Sequence, residues 1–246
     1  MGARENSQPQ DGPTPAQVRP EGATGRPDRW AAVAGLVFTA LVVASFFTPD
    51  MPSTDSPAED IAAQLAGDRA AHQISLLLGF LADIAFLVFL AGLWSRLRRL
   101  EDPAGMFAAL VLAAGAAVVA LMLVAWGLHM ALVQYASGGQ PDPAALPVLT
   151  VLNEWVGGAI VPASVAMFLG AAVAILTTGA LPRLLGWLAA VTALLLLISL
   201  AGVFQTTTGG GMVGIVGFGG FLLFLVWVLA TSVVLLLRPG RQPAGP

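Results

Sequence analysis

The chain has no cysteine, no lysine, a single tyrosine and charge on only 10% of its 246 residues. Without cysteine there is no disulfide, no thiolate metal site, no cysteine nucleophile and no thioether-linked haem. Without lysine there is no Schiff base, which removes a retinal-type chromophore linkage. A soluble domain of this length carries about 25% charged residues. With 57% hydrophobic residues and a mean hydropathy of +0.83, this chain is instead an integral membrane protein. Its net charge of −3 argues against nucleic acid as a partner. Abundant Ala, Gly, Pro and Arg suggest GC-rich coding DNA and a bacterial source. Also missing are a Gly-x-Ser-x-Gly elbow, a recognisable triad, a His-Glu-x-x-His zinc spacing and any arginine inside the apolar runs. The last absence excludes a voltage sensor. The reading therefore leans away from an enzyme, with no catalytic residue, cofactor or metal expected.

What is present is a series of six apolar runs, at about residues 30–47, 74–94, 107–133, 148–176, 184–204 and 212–237. Each is close to the ~20 residues that cross a bilayer as a helix. They are continuous rather than alternating, which disfavours barrel strands. The expected fold is an all-α bundle of six transmembrane helices. Residues 1–29 are polar and Pro-rich and read as a disordered cytoplasmic tail, and residues 239–246 as a short second tail. The first run ends Ser45-Phe46-Phe47-Thr48, too bulky for a signal cleavage site, so it is expected to be retained.

The connections set the orientation. Ser56-Pro57-Ala58-Glu59 looks like a capped helix start, with Ser56 as cap, Pro57 in the first turn and Glu59 reaching back. Ile61 and Leu65 follow at i, i+4, so an amphipathic helix over about 57–71 is expected to lean on the membrane surface and run on into span 2. With the N-terminus inside, ten arginines fall on the inner side and only Arg69 on the outer. By the positive-inside rule both termini are then cytoplasmic. Trp30, Trp94 and Trp187 stand beside the inner arginines, at belt positions.

Ionisable groups inside the runs are the sharpest signals, because each costs roughly 2.5–3.5 kcal/mol at mid-bilayer on insertion scales. Asp83 lies near the middle of span 2, Glu154 near the outer end of span 4, His129 near the outer end of span 3, and His72 at the outer entrance to span 2. His72, Ser75, Gly79 and Asp83 make a small or polar stripe on one helix face. His72 and Asp83 are ~16 Å apart in rise, too far to touch. His129 and Glu154, at similar depth, are expected to pair. One reading is an outward-facing polar pocket formed by Asp83, His129, Glu154 and His72. The other is helix–helix glue, with Asn153, Ser164, Thr192 or Ser199 as hydrogen-bond partners. A bis-histidine haem would need both imidazoles at one depth, which a superficial His72 does not offer.

Two further features bear on packing. Glycines at 209, 210, 211, 214, 217, 219 and 220 allow either a broken helix lining a path or a short loop followed by close helix packing, and the packing reading is preferred. Pro162, after Gly157-Gly158, marks a kink in span 4.

The string Gly179-Ala180-Leu181-Pro182-Arg183-Leu184-Leu185-Gly186-Trp187-Leu188 is a familiar one. So are the Arg-Trp-Ala-Ala-Val-Ala-Gly opening of span 1, the acidic Ser-Pro-Ala-Glu-Asp-Ile-Ala loop and the Trp94-Ser95-Arg96-Leu97-Arg98 exit of span 2. Over roughly residues 29–238 the chain resembles six-span bacterial membrane proteins grouped as domains of unknown function. That resemblance implies a fold and a membrane location, with no activity to carry over. The function expected from the residues is a non-enzymatic membrane protein with a polar pocket or a surface for a protein partner or second copy. The alternative is a small transporter or ligand carrier using Asp83 with Glu154 and His129.

Overall fold

The computed structural model describes residues 26–49, 51–101, 105–138, 142, 144–204 and 211–237. Of the expected 1–29 tail, residues 1–25 lie outside the described residues, as do 239–246, Gly209 and Gly210, while 26–29 are helical. The helices are α1 (Arg26–Ser45), α2 (Ala58–Gly67), α3 (Arg69–Arg98), α4 (Met106–Ala136), α5 (Ala145–Gly158), α6 (Ile160–Thr178), α7 (Arg183–Ser199) and α8 (Gly211–Leu237). A 3-10 turn at Leu200–Phe204 extends α7. With α5 and α6 counted as one interrupted span, six helical segments are long and apolar enough to cross a membrane. Their outward faces are apolar too: Ile84, Leu184, Leu194 and Ile215 are all exposed. So apolar an exterior suits a lipid solvent.

Each span packs on its sequence neighbours, and α8 returns to pack on α1. The result is a closed ring of six spans with an interior of its own. An aromatic cluster fills part of that interior: Phe38 stacks on Phe86 with centroids 4.8 Å apart, and Phe168 meets Trp227 edge-on at 5.2 Å. The Trp227 indole also donates to the Leu185 carbonyl at 3.0 Å, pinning α8 to α7.

The two ends of the ring are finished differently. At one end the buried Asp28 of α1 pairs with Arg96 of α3 at 3.1 Å, and Arg96 Nε donates to the Ala180 carbonyl at 3.3 Å. One guanidinium thus ties α1, α3 and the turn between α6 and α7. That turn depends on Gly179, whose φ of 65° is one that a side chain disfavours. At the same end both Glu101 carboxylate oxygens accept from the first amides of α4, Phe107 and Ala108, at 2.9 Å each. A carboxylate there satisfies orphan N–H groups and meets the positive end of the helix dipole.

At the other end, α4 outruns the membrane. Its 31 residues measure ~46 Å against ~30 Å of hydrocarbon. The surplus is covered by α2, whose Ile61 and Leu65 are buried with Leu132, Val133, Ala136 and Leu146. The apolar face of the amphipathic helix therefore packs as a lid on α4 and α5. The helix is shorter than expected and separate from the span, since the chain turns at Asp68 (φ −101°, ψ 21°) before α3 begins. The expected cap is not formed either: Pro57 is the N-cap, with no side-chain hydrogen bond. Two boundaries also differ. Helix α1 begins at Arg26 and its apolar span at Asp28, ahead of Trp30, and Asp28 pairs there with Arg96. Span 4 is interrupted at Ala159. Pro162 has no N–H for the carbonyl of Gly158 and its ring crowds that carbonyl, which is enough to break the helix there.

α8 is continuous from Gly211, so the broken-helix alternative fails within 211–237. Gly220 and Gly217 serve close packing on α7: a Cβ on Gly220 would sit 2.9 Å from Leu196, and one on Gly217 3.3 Å from Ser199.

Candidate functional site

Residues from all six spans line a cavity of about 360 Å³ inside the ring. That volume lies within the range of small-molecule sites, about 300–1,000 Å³. Its wall is apolar and aromatic, with Phe38, Phe46, Phe86, Phe221 and Phe224 prominent, and Ser45, Ser164 and Ser199 as hydroxyls. Those hydroxyls donate to carbonyls of their own helices, at Val42, Ile160 and Leu196. Among the described residues, one ionisable side chain lines the cavity: Asp83, 5% exposed.

Asp83 arrives there by helix geometry. His72, Ser75, Gly79 and Asp83 are all buried on the inward face of α3. The Asp83 partner, however, is none of the polar residues expected. Asp83 Oδ2 accepts from the indole Nε1 of Trp126 on α4 at 3.1 Å. Its other oxygen has no hydrogen-bond partner among the described residues. Asn153 does not reach it, and Thr192 donates to its own helix at Leu188. Gly79 makes the arrangement possible. A Cβ there would stand 2.6 Å from the Trp126 ring, so the indole occupies the space a side chain would take.

Sequence reasoning missed Trp126, because tryptophan in a membrane chain reads as a belt residue. The available signal was its position: it lies three residues before His129, on the same helix face and away from the belt.

The histidines are the largest departure from expectation. His72 is not superficial but 1% exposed, and His129 is 4% exposed. His129 does not pair with Glu154. Its Nε2 lies 3.3 Å from His72 Nδ1, with the rings edge-to-face at 5.2 Å. The reason is rotational: depth along a helix follows from the sequence, but the neighbour that a side chain faces does not. The bond requires one nitrogen to donate and the other to accept, so the pair holds at most three ring protons while it is made. Among the described residues no third His, Cys, Asp or Glu joins them in a metal-binding group.

The Trp126 ring lies 6.4 Å from His129 and tilts over it by 33°. His72, His129, Trp126 and Asp83 thus form one interior file. Trp126 interrupts it chemically, because an indole N–H donates and cannot accept.

Glu154 stands apart from this file. It lines a second cavity of about 480 Å³, between the α5–α6 break, the 3-10 turn and the first turns of α8. The four candidate residues therefore divide three to one: His72, His129 and Asp83 are joined through Trp126, while Glu154 has a cavity of its own. Comparison of the chain with known protein families, with curated proteins and with solved structures finds no match, so the cavities themselves must carry the functional reading.

Proposed function

We propose that this chain is a multi-pass protein of the cell membrane, with both termini cytoplasmic, that binds a small and mostly apolar molecule inside its helical ring. The arginine asymmetry supports the orientation, which makes the α2 end the outer one. One observation carries the binding role: a closed ring of helices encloses a cavity large enough for a ligand, lined by a single carboxylate with one oxygen unpartnered. Helices packed only for stability fill such a space, because voids cost about 24 cal/mol per Å³. An intramembrane acid is itself expensive, and here it is held in place by a dedicated tryptophan. No residue arrangement in the cavity points to bond-making chemistry. Binding, or carriage between the two sides, is the reading that the geometry favours.

The cysteine-free chain offers a direct test. Single cysteines at Asp83 and Leu78, both lining the cavity, are compared with one at Leu93, which is fully buried in packed core. In protein held in lipid nanodiscs, D83C and L78C should react with N-ethylmaleimide at least about tenfold faster than L93C, since a thiol sealed in apolar surroundings is inert. Equal, slow rates at all three positions would reduce Asp83 to helix–helix glue.

A further inference from the structure

The two cavities share a wall. Val161, Ser199 and Gly217 line both of them. The α5–α6 break lies along that wall as well: Gly157 and Ile160 face the Asp83 cavity, while Gly158, Ala159 and Pro162 face the Glu154 cavity. Irregular backbone at membrane depth is tolerated where it lines a cavity. The break therefore sits where a passage would need it.

The charges agree with one another. Among the described residues, each cavity is lined by one acid, Asp83 or Glu154, and by no arginine or histidine. Glu154 makes no ion pair among the described residues. Such walls repel anions, and carboxylates favour charged N–H donors. The phenylalanine faces around Asp83 attract cations as well.

We propose that the Glu154 cavity is the entrance to the Asp83 cavity, through the Val161–Ser199–Gly217 constriction, and that the ligand is an amphiphilic amine. This deepens the binding role above and rests on it. Glu154 meets the ammonium group first; the ligand then passes the constriction, and Asp83 takes the ammonium on its free oxygen while the apolar body lies among the phenylalanines. The constriction is narrow: a Cβ on Gly217 would stand 3.3 Å from Ser199 Cβ.

The test uses the full chain carrying L78C in nanodiscs. Protection of the thiol from N-ethylmaleimide is followed after adding decylamine, decanol or decanoate, three probes of equal chain length and different head. Decylamine should protect, and decanol and decanoate should not. Asp83→Asn should abolish the protection. Glu154→Gln should slow its onset about fivefold, the size of effect an entrance charge has on association. Gly217→Phe should slow it further, with Ser199→Leu as the second variant should G217F fail to fold. If no probe protects L78C, the binding role itself fails. If decanol protects as well as decylamine, the cavity binds ligands but the amine class is wrong. If onset is unchanged in E154Q and in the folded constriction variants, the entrance is elsewhere.

Discussion

Gly79→Ala should destabilise the protein, although a change from glycine to alanine inside a helix ordinarily stabilises it. The intrinsic gain is about 1 kcal/mol. Against it stands a Cβ 2.6 Å from the Trp126 ring, closer than any real contact. The indole must move, and overpacking of this kind costs about 1–3 kcal/mol. Moving the indole also breaks its bond to the Asp83 carboxylate, and hydrogen bonds to charged groups contribute about 1.5–3 kcal/mol. Those two losses outweigh the propensity gain, so a net loss of about 1.5–5 kcal/mol is expected. Gly127→Ala is the matched control, because a Cβ there meets nothing within 4 Å. Thermal unfolding in nanodiscs should show G79A melting earlier than the parent and G127A at or above it. G79A matching G127A would mean that Trp126 does not need the space.

Arg96→Ala should cost about 3–5 kcal/mol, the usual penalty for removing one partner of a buried ion pair. The loss is large because Asp28, 2% exposed, loses its ion pair, and because the contact with the Ala180 carbonyl goes with it. Lysine is a poor replacement: it lacks the fork that reaches a carboxylate and a carbonyl at once. The double variant Asp28→Asn, Arg96→Met should recover most of the loss, since both charges of the pair are removed together. Equilibrium unfolding of the singles and the double gives the coupling directly. Additive losses would show that the two residues act independently.

The six spans were legible because apolar composition alone sets them, and helix length against bilayer thickness leaves little choice. The depth of Asp83 was legible for the same reason, from its place within an apolar run. Rotation and partnership were not. His129 and Glu154 share a depth, yet His129 faces α3 and Glu154 faces the gap beside α8. A hydropathy run carries no information on which neighbour a face meets, since lipid and core are equally apolar. His72 looked superficial because it lies two residues before the apolar run at 74–94. Nothing in the sequence showed that α4 would rise beside it and bury it. Trp126 was hidden by its residue type, and its role as donor to Asp83 became visible only with the tertiary contact. The α2 lid was read as lying on lipid because Ile61 and Leu65 fit either an apolar membrane surface or the projecting end of α4.

The closure of the ring by α8 against α1 also sets an order of events during synthesis. A chain emerging from the ribosome presents α3 before α4, so for that interval Asp83 has no indole and the insertion machinery must shield a bare acid. α4 supplies the tryptophan, but the chamber still has an open side until the last span arrives. The site therefore comes into being only with the final helix. A chain stalled or truncated ahead of α8 would carry five spans, an intact Asp83–Trp126 bond and a groove open to lipid where the chamber should be.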